Sequence, residues 1–321
     1  MTREVAPCRA SIARNSKSFA LAAKLLPRQQ ADEAAILYAW CRRADDTVDL
    51  ATNAEARASL RRLHQELDSI YGGEILAEPI LRAFQSVVRE RALPRTLPEE
   101  LLAGLEMDCE LSWYETRDDL LRYCFRVAGV VGLMMCPTLE VRDPEALRRA
   151  AHLGMAMQIT NICRDVLEDW DMGRLYVPEE LLRAAGVRDL HLHLGRPFPA
   201  HAVEPMARAV QALLREADAY YASGDCGIAA LPWRTALSIR TARRVYAAIG
   251  RRVERRGCDV TLGRAVVPLH EKLLHVARAA LGVIEELPAR GRGRAAARAA
   301  REERSLWFPE EILPCLQEAA R

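Results

Sequence analysis

Strand-like runs, paired cysteines, long apolar stretches and an excess of one charge are all scarce in this sequence, and each scarcity removes a class of protein. Alternating β-branched segments are missing, while Ala, Leu, Arg and Glu dominate, so the reading is all-α. Nine cysteines stand singly with no CxxC pair, which excludes a disulfide framework or a zinc site and points to a reducing, cytoplasmic compartment. Lys+Arg number 46 and Asp+Glu 44, a balance that argues against nucleic acid as the main partner. No GxGxxG sits between a strand and a helix, so no nicotinamide-binding βαβ unit is expected. The N-terminal stretch lacks the apolar core of a secretion signal, and the most apolar segment, Val127 to Pro137, is too short to cross a bilayer.

Half of the residues are hydrophobic and 28% are charged, enough for a sizeable core with a wet surface. No Gly/Ser- or Pro-rich linker divides the chain before about residue 288, so residues 1–288 are expected to form one large helical domain around a central cavity. Periodicity and capping signals predict helices over 28–49, 54–71, 79–92, 98–115, 118–136, 144–171, 203–222, 233–256 and 264–287. Breaks are expected at Gly72-Gly73, Pro94 to Pro98, Pro137, Gly173 and Gly257. Residues 289–321 read as a basic tail, in which Arg290, Arg292, Arg294, Arg298 and Arg301 are candidates for peripheral contact with the inner face of the cell membrane. Within it, the apolar stretch Trp307 to Leu316 is expected to fold back onto the body.

Two segments carry the chemistry: YAWCRRADDTVD (Tyr38 to Asp49) and QITNICRDVLED (Gln158 to Asp169). In each, a Cys-Arg pair precedes two aspartates spaced i, i+4. At 100° per residue, Asp45 and Asp49 differ by about 40° in direction, and Tyr38 and Arg42 fall in the same arc of about 60°. Gln158, Asn161, Asp165 and Asp169 lie within about 80° of one another, while Ile159, Ile162, Val166 and Leu167 point elsewhere. Carboxylates one turn apart repel unless a cation lies between them. Hard oxygen ligands favour Mg²⁺, with Mn²⁺ as an alternative, and Mg²⁺ usually bridges to phosphate oxygens rather than filling an all-protein cage. A diphosphate substrate follows, for which Arg42 and Arg164 supply positive charge and Asn161 a neutral oxygen. One DxxxD on a helix is commonly just a solvated acidic face; two copies, each with an arginine upstream in an otherwise apolar helix, are not.

These segments resemble the two signature regions of the squalene/phytoene synthase family, the second extending as GMAMQITNICRDVLEDWDMGRLYVP from Gly154 to Pro178. SKSFALAAKLLP (Ser16 to Pro27), YCFRVAGVVGLMMCP (Tyr123 to Pro137) and ARRVYAAIG (Ala242 to Gly250) are similar to three further family segments in the same order. The resemblance spans roughly residues 11 to 280. It implies the all-α isoprenoid synthase fold and head-to-head joining of two prenyl diphosphates, with phytoene from geranylgeranyl diphosphate as the expected product and no NADPH requirement. The alternatives are a farnesyl-using dehydrosqualene or squalene synthase, a silent member acting as an assembly factor, and a helical scaffold.

Residue by residue, the resemblance implies that Asp45 and Asp49 hold metal on one wall, and Asp165, Asp169 and Asn161 on the other. Tyr38, Arg42, Gln158 and Arg164 match positions around the diphosphates. Ser16, Lys17, Ser18 and Phe19 belong to the segment that closes over the site, and Tyr246, Arg264 and Lys272 match positions that reach a diphosphate. Asp108 matches a family acid without a derived role. Phe125 stands where many members carry Tyr, which removes a hydroxyl expected near the reacting chains. Bulky aromatics in thirty-carbon relatives match Ala23 and Ala35, so small side chains there imply room for the longer chain; Ala35 lies about 15 Å up the helix from Asp45, and Ala34 points within about 20° of it. Met134, Met135, Met155 and Met157 read as core filler that could line a prenyl channel, and His191, His193 and His201 as surface groups.

Overall fold

The computed structural model describes residues 5–49, 53–110, 113–286 and 306–312. Helices α1 (Val5–Asn15), α2 (Lys17–Ala23), α3 (Arg28–Asp49), α4 (Asn53–Gly72), α5 (Pro79–Arg91) and α6 (Thr96–Glu110) form the first half. They are followed by α7 (Arg117–Cys124), a π-helical turn (Phe125–Gly129), α8 (Val130–Thr138), α9 (Pro144–Asp171) and α10 (Glu179–Ala184). The long helices α11 (Val203–Ala229), α12 (Trp233–Arg255) and α13 (Leu269–Glu286) complete the bundle. Among the described residues no strand forms, and the one extended pairing is an isolated parallel bridge between Trp113 and Leu175.

Two helices organise the rest. Along α3, Ala35, Ile36, Leu37, Ala39, Trp40, Ala44 and Val48 are buried, and along α9 thirteen residues from Leu147 to Trp170 are buried. Helices buried on several sides belong inside a bundle. α3 packs among α1, α4, α5 and α8, and α9 among α8, α11, α12 and the π turn. A Cβ on Gly132 would stand 2.4 Å from the Ala150 carbonyl oxygen, and one on Gly154 2.2 Å from that of Ala128. Glycine at both positions is therefore what lets the run from α7 to α8 lie backbone against backbone on α9.

That run, Arg117–Thr138, corrects one expectation: it is long and apolar enough to cross a bilayer by length and composition. Arg122 and Arg126 interrupt the apolar stretch in sequence, which hid its length. In the fold it lies between α6 and α9, and Arg126 Nε donates to Glu100 at 3.0 Å.

The expected breaks at Gly73 (φ 77°), Gly173 (φ 77°) and Gly257 (φ 69°) all carry left-handed backbone just past a helix end. Several elements differ from expectation, α10 (Glu179–Ala184) among them as an unforeseen short helix. α1 and α2 form although neither was foreseen; Ser16 caps α2 by accepting from Phe19 N–H at 3.2 Å. α11 continues past residue 222 because Gly224 and Gly227 pack against Leu153 and Arg149 of α9 instead of ending the helix. α13 starts at Leu269 because Gly263 (φ 70°) and Pro268 precede it.

Residues 306–312 return to the body. Phe308 and Ile312 are buried, Tyr220 donates its hydroxyl to the Trp307 carbonyl at 3.2 Å, and Arg148 pairs with Glu310 at 2.7 Å. The candidate membrane arginines Arg290, Arg292, Arg294, Arg298 and Arg301 lie outside the described residues.

Candidate active site

A cavity of about 800 Å³ runs between α2, α3, α8, α9 and α12. Its wall is mostly apolar: Ala23, Leu26, Ala34, Leu37, Val127, Val131, Met135, Met157, Ile239 and Ile249 all face it. One end is polar, where Ser16, Lys17, Ser18, Phe19, Tyr38, Arg42, Asp45, Asp108, Gln158, Asn161, Arg164, Tyr246, Arg264 and Lys272 line the space. The three remaining acids, Asp49, Asp165 and Asp169, do not line the cavity; Asp165 is tied to two residues that do. Asp165 bonds Arg164 Nε at 2.7 Å and meets Arg264 Nε at 3.1 Å, and Asp49 accepts from Arg174 at 3.0 Å.

The helix geometry read from sequence therefore converges in space, with α3 and α9 supplying one acidic wall each. Burial, then the charge of Asp49, pushes Asp45 up to about 7 against the pull of Arg42, which sits 3.0 Å away. Burial, then Asp165, pushes Asp169 up to about 8. Between the walls stands Asp108, raised to about 6 by burial even though it accepts from Tyr176 at 2.6 Å and Tyr123 at 3.0 Å. Its charge raises both Asp45 and Asp169, so the acids of α3, α6 and α9 form one electrostatic unit.

Two polar atoms beside this unit are short of partners. Asn161 Oδ1 and Arg42 Nε are buried without hydrogen bonds. An orphaned amide oxygen beside repelling carboxylates is the donor chemistry a hard divalent cation takes, so the residues fit one. Among the described residues no three His, Cys, Asp or Glu side chains gather into a closed metal cage. The donors instead leave the remaining coordination to water and phosphate oxygens, as Mg²⁺ sites commonly do.

A ring cluster from α2, α3 and α12 lines the polar end of the cavity. Phe19 lies 5.0 Å from the Tyr246 ring and 6.1 Å from Tyr38. Lys272 has its ammonium lowered by burial and then by Lys17, so two cations face the same space.

Sequence reasoning passed over Arg174, Tyr176 and Tyr123. Arg174 lies in the second signature region, and Gly173 with its positive φ turns the chain so that Arg174 returns to Asp49. Two expectations need correction. Ala35 does not face the cavity; it is buried in the helix packing, whereas Ala34 and Ala23 line the wall. Ten residues before Asp45 the helix has turned about 80° away, and eleven residues before only about 20°. Phe125 is likewise absent from the cavity wall and meets Trp307 and Phe308 edge-on at 6.1 and 5.7 Å, so its missing hydroxyl is not near the reacting chains. Met135 and Met157 line the channel while Met134 and Met155 fill core. His191 pairs with buried Glu179 at 2.8 Å and stacks on Trp113, a structural tie rather than a metal site.

Known proteins resemble this chain in sequence and in fold. The phytoene synthase of Cereibacter sphaeroides is 41% identical over 287 residues, covering 85% of this chain and 79% of that one. The 15-cis-phytoene synthase of Paracoccus sp. is 40% identical, covering 77% and 81%. Among solved structures, a dehydrosqualene synthase in complex with ligand superposes with a TM-score of 0.79 at 29% identity, covering 88% of this chain and 98% of that one. A squalene synthase from Alicyclobacillus acidocaldarius follows at 0.71 and 25%, covering 80% and 95%. Residues 12–271 match the squalene/phytoene synthase family, which takes in both acidic walls, the closing segment and Lys17, and on that match the chain belongs to the squalene/phytoene synthase family.

Proposed function

We propose that this chain is a phytoene synthase, a prenyltransferase that joins two geranylgeranyl diphosphates head to head for carotenoid biosynthesis. The observation that carries the reading is an apolar cavity closed at one end by two acidic helices and a set of basic side chains, in a chain about 40% identical to phytoene synthases. The ion best suited to the oxygen donors is Mg²⁺, with Mn²⁺ as a substitute, and when bound it supplies charge to the departing diphosphate.

The protein's own groups do the rest. Arg42, Arg164, Arg264 and Lys272 surround the polar end and hold diphosphate oxygens. Prenyl chains lie along Ala23, Ala34, Leu37, Val131, Met135 and Ile239, which keep water from the allylic cation left when diphosphate departs. Attack by the second substrate's double bond and loss of a proton give a cyclopropylcarbinyl diphosphate. Its ionisation, rearrangement and loss of a second proton give the forty-carbon triene, so each half reaction expels one diphosphate and one proton. The Phe19, Tyr38 and Tyr246 rings close the mouth beside the charges, where their faces favour positive charge.

No reductant enters this balance, so the reaction proceeds without NADPH. The deciding experiment supplies geranylgeranyl and farnesyl diphosphate in separate reactions with Mg²⁺ and no nicotinamide, followed by product analysis. Phytoene from the longer substrate is expected; preferential use of farnesyl diphosphate, or a hydrocarbon formed only with NADPH, overturns the assignment.

A further inference from the structure

Past the polar end of the cavity the molecule exposes an unusual amount of apolar side chain. On α13, Leu269 (68% exposed), Leu273 (53%), Leu274 and Leu281 (58%) face solvent, joined by Val266 (60%) and Leu262 in the loop before it. With exposed Ala277, the α13 residues fall within an arc of about 140°, so the helix carries a second apolar stripe opposite the one that packs, through Ala279 and Val283, into the body. Isolated exposed leucines are ordinary; a continuous stripe of them on one helix and its leading loop marks an interaction surface.

Two observations select its occupant. The stripe is continuous with the cavity: Val266 belongs to both, and Arg264 and Lys272, on the same segment, line the polar end. The surroundings are also basic. Between Arg251 and Leu281 seven basic side chains stand against three acidic ones, in a chain whose whole net charge is +2. The sequence immediately after α13 adds Arg290, Arg292 and Arg294. Exposed leucines rimmed by cations are the composition of a helix that lies in the headgroup layer of an anionic bilayer.

We propose that the exposed face of α13, with Leu262 and Val266, docks on a bilayer of anionic lipids and sets the cavity mouth at the headgroup level. This rests on the prenyl diphosphate reading, because it gives a substrate with an apolar tail and a charged head a path from lipid to Arg264 and Lys272 without crossing water. The docking residues themselves, Leu269, Leu273 and Leu281, do not line the cavity.

The test is flotation of the full chain with phosphatidylcholine vesicles, with and without a quarter of phosphatidylglycerol, for wild type, the triple variant Leu269→Gln/Leu273→Gln/Leu281→Gln, and a chain ended after residue 286. Circular dichroism and thermal unfolding check that the variants stay folded: the exposed positions of the triple variant should leave its Tm unchanged, whereas the truncated chain also loses the packed Phe308 and Ile312 and its flotation is read below its own Tm. Wild type is expected to float with the anionic vesicles and the triple variant to lose binding at least about tenfold, with the truncated chain intermediate. Turnover of detergent-dispersed geranylgeranyl diphosphate should be unchanged in the triple variant, and turnover of the same substrate presented in vesicles should fall. A triple variant that floats like wild type overturns the proposal, as does loss of binding on truncation alone. A wild type that fails to float but forms a dimer dispersed by the same substitutions assigns the face to a second copy and also overturns it. Flotation with the expected pattern but without turnover of any prenyl diphosphate leaves the docking face standing and removes the proposed function.

Discussion

Three acids of the site, Asp45, Asp108 and Asp169, sit where burial disfavours their charged form. Asp45 gains a salt bridge from Arg42 yet is still pushed up to about 7, because burial and Asp49 outweigh one arginine. Neutralising it therefore removes repulsion as well as a ligand. Asp45→Asn and Asp165→Asn are expected to lower kcat on the order of 10²-fold or more while leaving helicity intact, as turnover assays and circular dichroism will read. Near-normal turnover in both would sink the metal role. Chain length is also decided by single residues. Ala34 faces the cavity and Ala35 faces the helix packing, so Ala34→Trp should occupy prenyl space and shift preference toward farnesyl diphosphate. Ala35→Trp should instead overpack α3 and lower Tm. Competition between the two diphosphates, with a melting curve for each variant, separates the cases; a specificity shift from the Ala35 variant alone would restore the position inferred from resemblance.

Elements were legible in proportion to how plainly their boundaries were written. α3 and α9 begin and end where expected, because Pro144 after Asp143 and the positive φ of Gly173 punctuate the second, and the aspartate motif fixes the face of both. α1 and α2 were missed because they are short, 11 and 7 residues, and they are held by packing on α3 and α12. The paired aspartates, Arg42 and Asn161 were legible because helix periodicity puts them on one face of α3 or of α9, and Arg164 because it stands beside Asp165 in the chain. Arg174 and the Asp108 pair of tyrosines were not, since Arg174 and Tyr176 arrive from the loop after α9 and Tyr123 from α7, and no local period connects them to the acids. The crossing of the π-helical turn on α9 makes a sharper test of element packing. A Cβ at Gly154 would meet a backbone oxygen at 2.2 Å, an obstacle that no rotamer change relieves. Gly154→Ala is expected to cost about 1–3 kcal/mol or more and to lower Tm by several degrees. Gly186→Ala meets no atom within 4 Å, so any loss there comes from its positive φ of 96° alone and should be the smaller. Equal shifts in thermal unfolding would mean that α9 can move away from the π-helical turn.

For the whole molecule, the acidic unit links folding to pH and to cations. In the fold Asp108, Asp45 and Asp169 titrate at about 6, 7 and 8, above the roughly 3.9 of an unfolded aspartate. The folded state thus binds protons that the unfolded chain has already released. The stability that this contributes is fully present below about pH 4 and is lost as pH rises through the interval from about 6 to 8. A divalent cation replaces those protons and offsets the loss, so its effect should be larger at pH 8 than at pH 6. Thermal unfolding in EDTA is expected to give a lower Tm at pH 8 than at pH 6, and millimolar MgCl₂ with inorganic diphosphate to restore most of the difference at pH 8. Other ionisations shared by every variant cancel in a comparison with Asp45→Asn/Asp169→Asn, whose Tm should change less between the two pH values and respond less to MgCl₂. A double variant with the same pH slope and the same MgCl₂ response as wild type would show that these acids neither hold the cation nor carry the pH dependence.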